Sequence, residues 1–525
     1  LRDDPPAADG AASPAPTPAQ TVARPRAILA ATVLGSSMAF VDGSVVHIAL
    51  PEIQERLGAG ASAMQWVVNA YMLAIGALML VGGAAGDRWG RRRVFLVGTA
   101  LFGAASAACG LAPDAASLVA ARALQGAAGA LLVPGSLAIL RAAFDGEAQG
   151  RAIGTWAAFS ALTTAAGPIL GGWLVDLAGW RSIFLINLPL AALTLAIGVS
   201  SLPESRDPQA TGRIDLAGAA LAAGGLGALS WGLIAASDRG LADAGVIAAL
   251  LGGAAALAAF VAWEGRTAHP MMPLGLFRDR AFAGANLYTL LLYGALSAAL
   301  FLQPFLYVQV WGWSATAAGA AFLPFTLLLA ALSRTAGGLA ARVGARPMLV
   351  WGAVVTGAGF GWLALAGTEG AFLADVLPGM TLAGLGMAAA VAPLTTAVMT
   401  AVEDRHAGTA SGINNAAARV AGLLAVAVLG SLAAAVFADR LADGLPGLAL
   451  PPGAAEAVLA ESRSLAGTPV PEGLGADAAA AVRALIGAAF VEGHRIALAA
   501  CAGLCLGAAA VARATLPRGE AARGG

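Results

Sequence analysis

From Ala27 onward the chain is a succession of apolar stretches, each near or above the ~20 residues a helix needs to cross the hydrocarbon core of a bilayer. They lie near 27–50, 62–84, 94–112, 115–139, 151–174, 181–201, 214–236, 243–263, 282–308, 314–336, 347–367, 371–399, 412–436 and 488–512. In lipid, every backbone N–H and C=O must be satisfied internally, so such stretches fold as helices. The expectation is an all-α polytopic membrane protein with fourteen transmembrane helices. The charge content agrees: 11% of the 525 residues are charged and 59% are hydrophobic, against about 25% charged in a soluble protein.

The turns between these stretches alternate in charge. Arg24 and Arg26 precede the first stretch, and Arg88, Arg91, Arg92 and Arg93 follow the second. Arg141 and Arg151 flank the turn after the fourth. Arg206 and Arg213, Arg266, Arg278 and Arg280, then Arg334, Arg342 and Arg346 continue the series, which ends with Arg405 and with Arg513, Arg518 and Arg523. The opposite short turns hold only Arg56, Arg181 and Arg239. The positive-inside rule places both termini in the cytoplasm, and an even number of spans likewise puts the two ends on one side. Residues 1–25, rich in Pro and Ala, read as a disordered cytoplasmic tail, and 514–525 as a second tail. Residues 438–486 form one long outside loop, which its Ala, Gly, Pro and acidic content marks as a connector of low order.

All 30 basic residues are arginine, and 69 residues are glycine; this bias suggests GC-rich coding DNA and the cytoplasmic membrane of a bacterium. A net charge of zero gives no sign of a nucleic-acid partner. Cys109, Cys501 and Cys505 lie in apolar runs without metal-ligand or disulfide spacing. Without lysine no GxxxxGK[ST] nucleotide loop exists. The residues indicate no enzyme and no cofactor.

A repeat organises the chain. "GGAAGDRWGRRRVF", from Gly82 to Phe95, recurs in degenerate form as "GGLAARVGARPML", from Gly337 to Leu349. Aligning Gly83 with Gly337 places Arg88 on Arg342, Gly90 on Gly344 and Arg92 on Arg346, while Asp87 falls on Ala341. Internal repeats of hydrophobic helices characterise secondary transporters. The division expected is a six-helix bundle over 26–203, an inserted helix pair over 204–266, and a second six-helix bundle over 267–513 that includes the outside loop.

The first copy, through Gly83, Asp87, Arg88, Gly90, Arg91 and Arg92, resembles the signature loop between spans 2 and 3 of the major facilitator superfamily. Further stretches resemble its fourteen-span drug:proton antiporter branch. "VDGSVVHIALP" is similar to the span-1 motif, with Ser44 for Thr and His47 for Asn. "WVVNAYML" (Trp66 to Leu73) also fits. "LVAARALQGAAGA" (Leu118 to Ala130) resembles the span-4 motif, and "GPILGG" (Gly167 to Gly172) the antiporter signature of span 5. "WRSIFLINLP" (Trp180 to Pro189) fits the start of span 6. The resemblance implies the major facilitator fold and export of lipophilic drugs or antibiotics driven by the proton-motive force.

Three residues are candidates for proton coupling or substrate contact. Asp42 lies mid-span in an apolar helix, where a carboxylate costs about 2.5–3.5 kcal/mol and is by default functional. Arg122 lies mid-span and stays charged; it needs anionic or carbonyl partners, and the resemblance implies a part in proton coupling. His47 is five residues past Asp42, about 140° around the helix, and lies near the outer end, where water also satisfies it. The resemblance further implies that the Asp87 loop gates, meeting a helix end of the other bundle in the outward-open state. Pro168 with Gly167, Gly171 and Gly172 suits a bendable, closely packed helix. The expected partners are a lipophilic small molecule, protons and membrane lipid, with the chain a monomer. Uptake by symport or facilitated diffusion on the same fold stays open, and so, more remotely, does a non-transporting membrane sensor.

Overall fold

The computed structural model describes residues 24–206, 215–268, 270–403 and 407–517. Among them are seventeen α-helices and no strand. In chain order they are α1 (Pro25–Leu57), α2 (Ala61–Trp89), α3 (Arg91–Gly110), α4 (Ala115–Ala143), α5 (Gly146–Ala178), α6 (Ser182–Leu185), α7 (Asn187–Ser201), α8 (Leu216–Arg239) and α9 (Ala244–Glu264). Then come α10 (Arg280–Phe305), α11 (Ala315–Ala320), α12 (Leu323–Val343), α13 (Ala345–Leu363), α14 (Leu377–Thr400), α15 (Ala407–Gly444), α16 (Ala454–Ala460) and α17 (Ala476–Thr515).

Short polar residues start several of these helices, where their side chains satisfy the first free N–H groups. Asp114 accepts from Ser117 N (2.8 Å) in a full capping box at α4, and that bond holds its carboxyl below the ordinary carboxylate range. Asp215, Asp243 and Asp279 cap α8, α9 and α10 in the same way.

Twelve helical segments among the described residues are long and apolar enough to cross a membrane. Two of the fourteen expected spans fall outside that set. In α5 only Leu162–Ala178 forms an apolar run, and it is shorter than the others. The 19 residues of α13 include Arg346, two tryptophans and four glycines, which dilute its hydropathy.

Two expectations about loops change. The stretch from Gly83 to Trp89 is helical, because α2 runs through it; between α2 and α3 only Gly90 is non-helical, at φ +108°, a value costly for any residue with a Cβ. The presumed low-order connector over 438–486 is also largely folded. Helix α15 extends to Gly444 and α17 begins at Ala476. Between them lie two 3₁₀ turns and α16, anchored by buried Leu445, Val458 and Leu465. Residues 1–23 and 518–525, the greater part of the two expected tails, lie outside the described residues.

Packing falls into two groups. Helix α1 packs on α4, α5 and α7; α2 packs on α4; and α3 packs on α4 and α7. In the second half α10 packs on α15 and α17, α12 on α14, and α13 on α14 and α17. The halves meet through α2 with α15, α5 with α11 and α12, and α1 with α10. Helices α8 and α9 pair with each other, and α8 rests on both α2 and α15. The largest buried apolar cluster runs through both halves, from Val41 to Leu516.

Candidate functional site

Asp42, on α1, is 0% exposed, and Arg122, on α4, is 1% exposed. They form an ion pair through Arg122 Nη1 and Asp42 Oδ2. The carboxylate at mid-span of α1 is therefore paired, and the partners that Arg122 required are identified. Arg122 Nε donates to the Val67 carbonyl of α2 (3.1 Å), and its Nη1 also donates to Gln125 Oε1 (2.7 Å). The guanidinium lies 4.2 Å from the centre of the Tyr71 ring and 5.8 Å from that of Phe184, within the range of cation–π attraction.

Gln125 links the pair to its surroundings. Its Nε2 donates to Asp42 Oδ1 (2.7 Å) and to Ser106 Oγ of α3 (2.7 Å). Asn187, the first residue of α7, donates from Nδ2 to Asp42 Oδ1 (3.4 Å) and Ser106 Oγ (3.3 Å). Donors from α4 and α7 thus meet on the Asp42 carboxylate of α1, and α2 and α3 hold those donors in place through Val67 and Ser106. A buried charge is tolerated only when paired and hydrogen-bonded on its remaining lone pairs, and this arrangement meets that condition.

His47 is buried near the same end of α1, but its Nδ1 has no hydrogen-bond partner. It does not join the Asp42 network. Gln125, Ser106 and Asn187 were not among the sequence candidates. The i,i+3 spacing of Arg122 and Gln125, which puts both on one helix face, was the signal available for Gln125.

The gating-loop residues sit at the far end of α2. Asp87, near the end of α2, pairs with Arg91 at the start of α3 (2.8 Å), and among the described residues no ion pair joins it to the other half. Arg92 Nη2 donates to the Val199 carbonyl (2.6 Å). Arg88 is exposed, while Gly83 lies beside Pro134, where an added Cβ would come within 3.7 Å.

The "GPILGG" stretch lies where the halves meet. A Cβ on Gly167 would fall 1.8 Å from Ser44 Oγ, and one on Gly171 would fall 2.4 Å from Val45 Cγ2. On the other side of α5, a Cβ on Gly172 would fall 2.1 Å from the Ala315 carbonyl oxygen of α11. Reciprocally, a Cβ on Gly319 would meet the Pro168 carbonyl oxygen at 2.2 Å. Gly172 and Gly319 permit backbone-to-backbone approach of α5 and α11, Gly167 and Gly171 admit side chains of α1, and Pro168 lies inside a continuous helix at that crossing.

One turn beyond, Asp176 accepts from the backbone N–H groups of Ala315 (3.1 Å) and Thr316 (2.8 Å), at the start of α11. At the same end Gln54 of α1 donates to the Ser464 carbonyl (3.0 Å) and accepts from Gln309 (3.0 Å). Four hydrogen bonds thus join the halves at this end of the molecule. In the second half a cavity of about 100 Å³ is lined by Tyr293, Thr395, Ser411, Asn414 and Asn415, among others. Asn414 is oriented there by donation to Thr289 Oγ1 (2.6 Å).

The family model for the Major Facilitator Superfamily matches residues 32–426. The chain is 38% identical over 434 residues to the multidrug resistance protein Stp of Mycobacterium tuberculosis (strain CDC 1551 / Oshkosh), covering 82% of this chain and 80% of that protein. It is 35% identical to the tetracenomycin C resistance and export protein of Streptomyces glaucescens, over 80% of this chain and 79% of that one. It is 37% identical to the puromycin resistance protein pur8 of Streptomyces alboniger, over 79% and 82%. Among solved structures, a bacterial homologue of the human lysosomal transporter Spinster, in an inward-facing and occupied conformation, superposes with a TM-score of 0.69 at 16% identity. That match covers 94% of this chain and 98% of that one.

Proposed function

The chain belongs to the Major Facilitator Superfamily, and from that premise we propose that it exports lipophilic drugs or antibiotics in exchange for protons, by alternating access. Membership makes it a multi-pass membrane transporter of small molecules, not an enzyme. Three of its relatives carry drug- or antibiotic-resistance or export names, and these support export over uptake. The division proposed is two six-helix bundles, at 26–203 and 267–513, with the inserted pair between them, fourteen spans in all. With the arginine-rich turns in the cytoplasm of a bacterium, both termini lie inside.

The observation that carries proton coupling is the buried Asp42–Arg122 pair with Gln125, Ser106 and Asn187 around it. A proton can bind Asp42 only in competition with Arg122 and the amide donors. Rearrangement of α1 against α4 therefore changes the proton's competitors, and that is the coupling between protonation and conformation a transporter needs. His47 is a secondary candidate beside this site. In the orientation proposed, the end joined by Asp176 and Gln54 faces outward, so the conformation is one closed on the outside. Asp87 then awaits the opposite state, in which it leaves Arg91 for a helix end of the second bundle.

The test uses proteoliposomes with an imposed pH gradient and a fluorescent lipophilic cation. Asp42→Glu, which keeps the charge, is expected to retain gradient-driven transport, whereas Asp42→Asn/Arg122→Gln, which removes the pair together, is expected to lose it. Gradient-driven transport by the double variant at the unmodified rate would remove the pair from the coupling mechanism.

A further inference from the structure

At the end of the molecule opposite Asp176, a groove of about 400 Å³ opens between the last turn of α2, the start of α3 and the middle of α4. Its floor is apolar, made by Ala85, Val94, Val97 and Leu131, with Trp89 at its side. Its rim carries Arg88, Arg93 and Arg206, and among the described residues no acidic residue lines it. We infer that this groove binds an anionic phospholipid, its phosphodiester held by Arg88, Arg93 and Arg206 and an acyl chain lying on Val97 and Leu131.

The arginines of this region divide by partner. Arg91 is paired with Asp87 and Arg92 is tied to Val199. Arg88, Arg93 and Arg206 have no ion pair or hydrogen bond among the described residues. Arginines serving only as topological signals need no shared apolar floor. These three surround one, brought together from α2, α3 and the segment after α7.

The surrounding surface points to the same occupant. Trp89 is 55% exposed and Val97 is 49% exposed. Leu101, one turn along α3, and Leu124 on α4 are exposed as well. A tryptophan beside an apolar strip is the side-chain pattern of a membrane–water interface. Three guanidiniums on one rim suit a headgroup with net negative charge and repel the ammonium of a zwitterionic one. Basic pockets between helices on the cytoplasmic side are a recognised form of lipid headgroup site. Free phosphate would satisfy the rim but leave the floor without a role.

The test is native mass spectrometry of the purified full-length protein, incubated with equal amounts of phosphatidylglycerol and phosphatidylcholine. The unmodified protein is expected to retain phosphatidylglycerol preferentially. Each arginine near an anionic headgroup contributes about fivefold in affinity, so Arg88→Gln/Arg93→Gln/Arg206→Gln should lose on the order of a hundredfold. If the triple variant does not fold, Arg93→Gln and Arg206→Gln alone should each lose about fivefold. Val97→Trp, which fills the floor and leaves every arginine in place, should also lose the preference. Added inorganic phosphate should compete weakly. Equal retention of the two lipids by the unmodified protein would overturn the inference, as would full retention by the triple variant. So would a site that phosphate empties and Val97→Trp leaves intact, because that site would bind a free anion.

Discussion

At the scale of single residues, the energetics of Asp42 and Arg122 are asymmetric. Removing one partner of a buried pair leaves the other charged and unpaired, which costs about 3–5 kcal/mol; removing both often costs little. Asp42→Asn alone is therefore expected to lower the melting temperature in detergent sharply, because Arg122 keeps its charge in a buried site. Asp42→Asn/Arg122→Gln is expected to recover most of that loss. Intrinsic tryptophan fluorescence during a thermal ramp checks both. A single variant as stable as the unmodified protein would mean that water or another acid reaches Arg122. The pair also marks a boundary of what can be read from sequence. Asp42 and Arg122 are each conspicuous as charges in apolar runs. Their pairing is not, because the two stand 80 residues apart and only the packing of α1 on α4 joins them. Ser106 and Asn187 are ordinary polar residues until Asp42 is placed beside them.

At the scale of elements, α5 is the informative helix. Its small residues were legible as a surface for close packing; the identity of the neighbours was not. Gly167 and Gly171 face α1, whereas Gly172 faces α11 in the other half. Gly172→Ala would set a methyl group 2.1 Å from the Ala315 carbonyl oxygen, and no rotamer change relieves a clash with backbone. The variant is expected to hold this end apart and to slow turnover at least tenfold. Spin-label distances between positions 177 and 317, both exposed, should lengthen, because the Asp176 contact with Ala315 and Thr316 requires the same approach. Unchanged distances would show that the crossing yields elsewhere. The segment joining α15 to α17 was misread for a physical reason. Its anchors, Leu445, Val458 and Leu465, are too sparse to form a periodic pattern, and its Ala, Gly and Pro content is that of a linker.

At the scale of the whole molecule, the run of apolar stretches and the alternation of arginines made the membrane-spanning class legible from sequence alone. Two of the fourteen stretches read as spans, 151–174 and 347–367, fall in α5 and α13, outside the twelve helices among the described residues that are long and apolar enough to cross a membrane. Orientation is open to direct measurement. In a background with Cys109, Cys501 and Cys505 replaced by alanine, single cysteines at Glu472 and Pro203, both exposed, should react with an impermeant maleimide from opposite sides of intact cells. Glu472→Cys is expected to label from outside, and Pro203→Cys only after permeabilisation. Labelling of both without permeabilisation would contradict the proposed span count.

The crossing of α5 with α11 has a consequence for how such a protein can diversify. The closure there is made by main chain against main chain, with Gly172 at the Ala315 carbonyl and Gly319 at the Pro168 carbonyl. Main-chain surfaces carry no information about cargo. Substitutions that reshape the cavity lined by Tyr293, Thr395 and Asn415 leave this closure untouched. Under the export reading proposed above, a change of cargo that spares these two backbone contacts leaves the closed end intact, so specificity and sealing can vary independently.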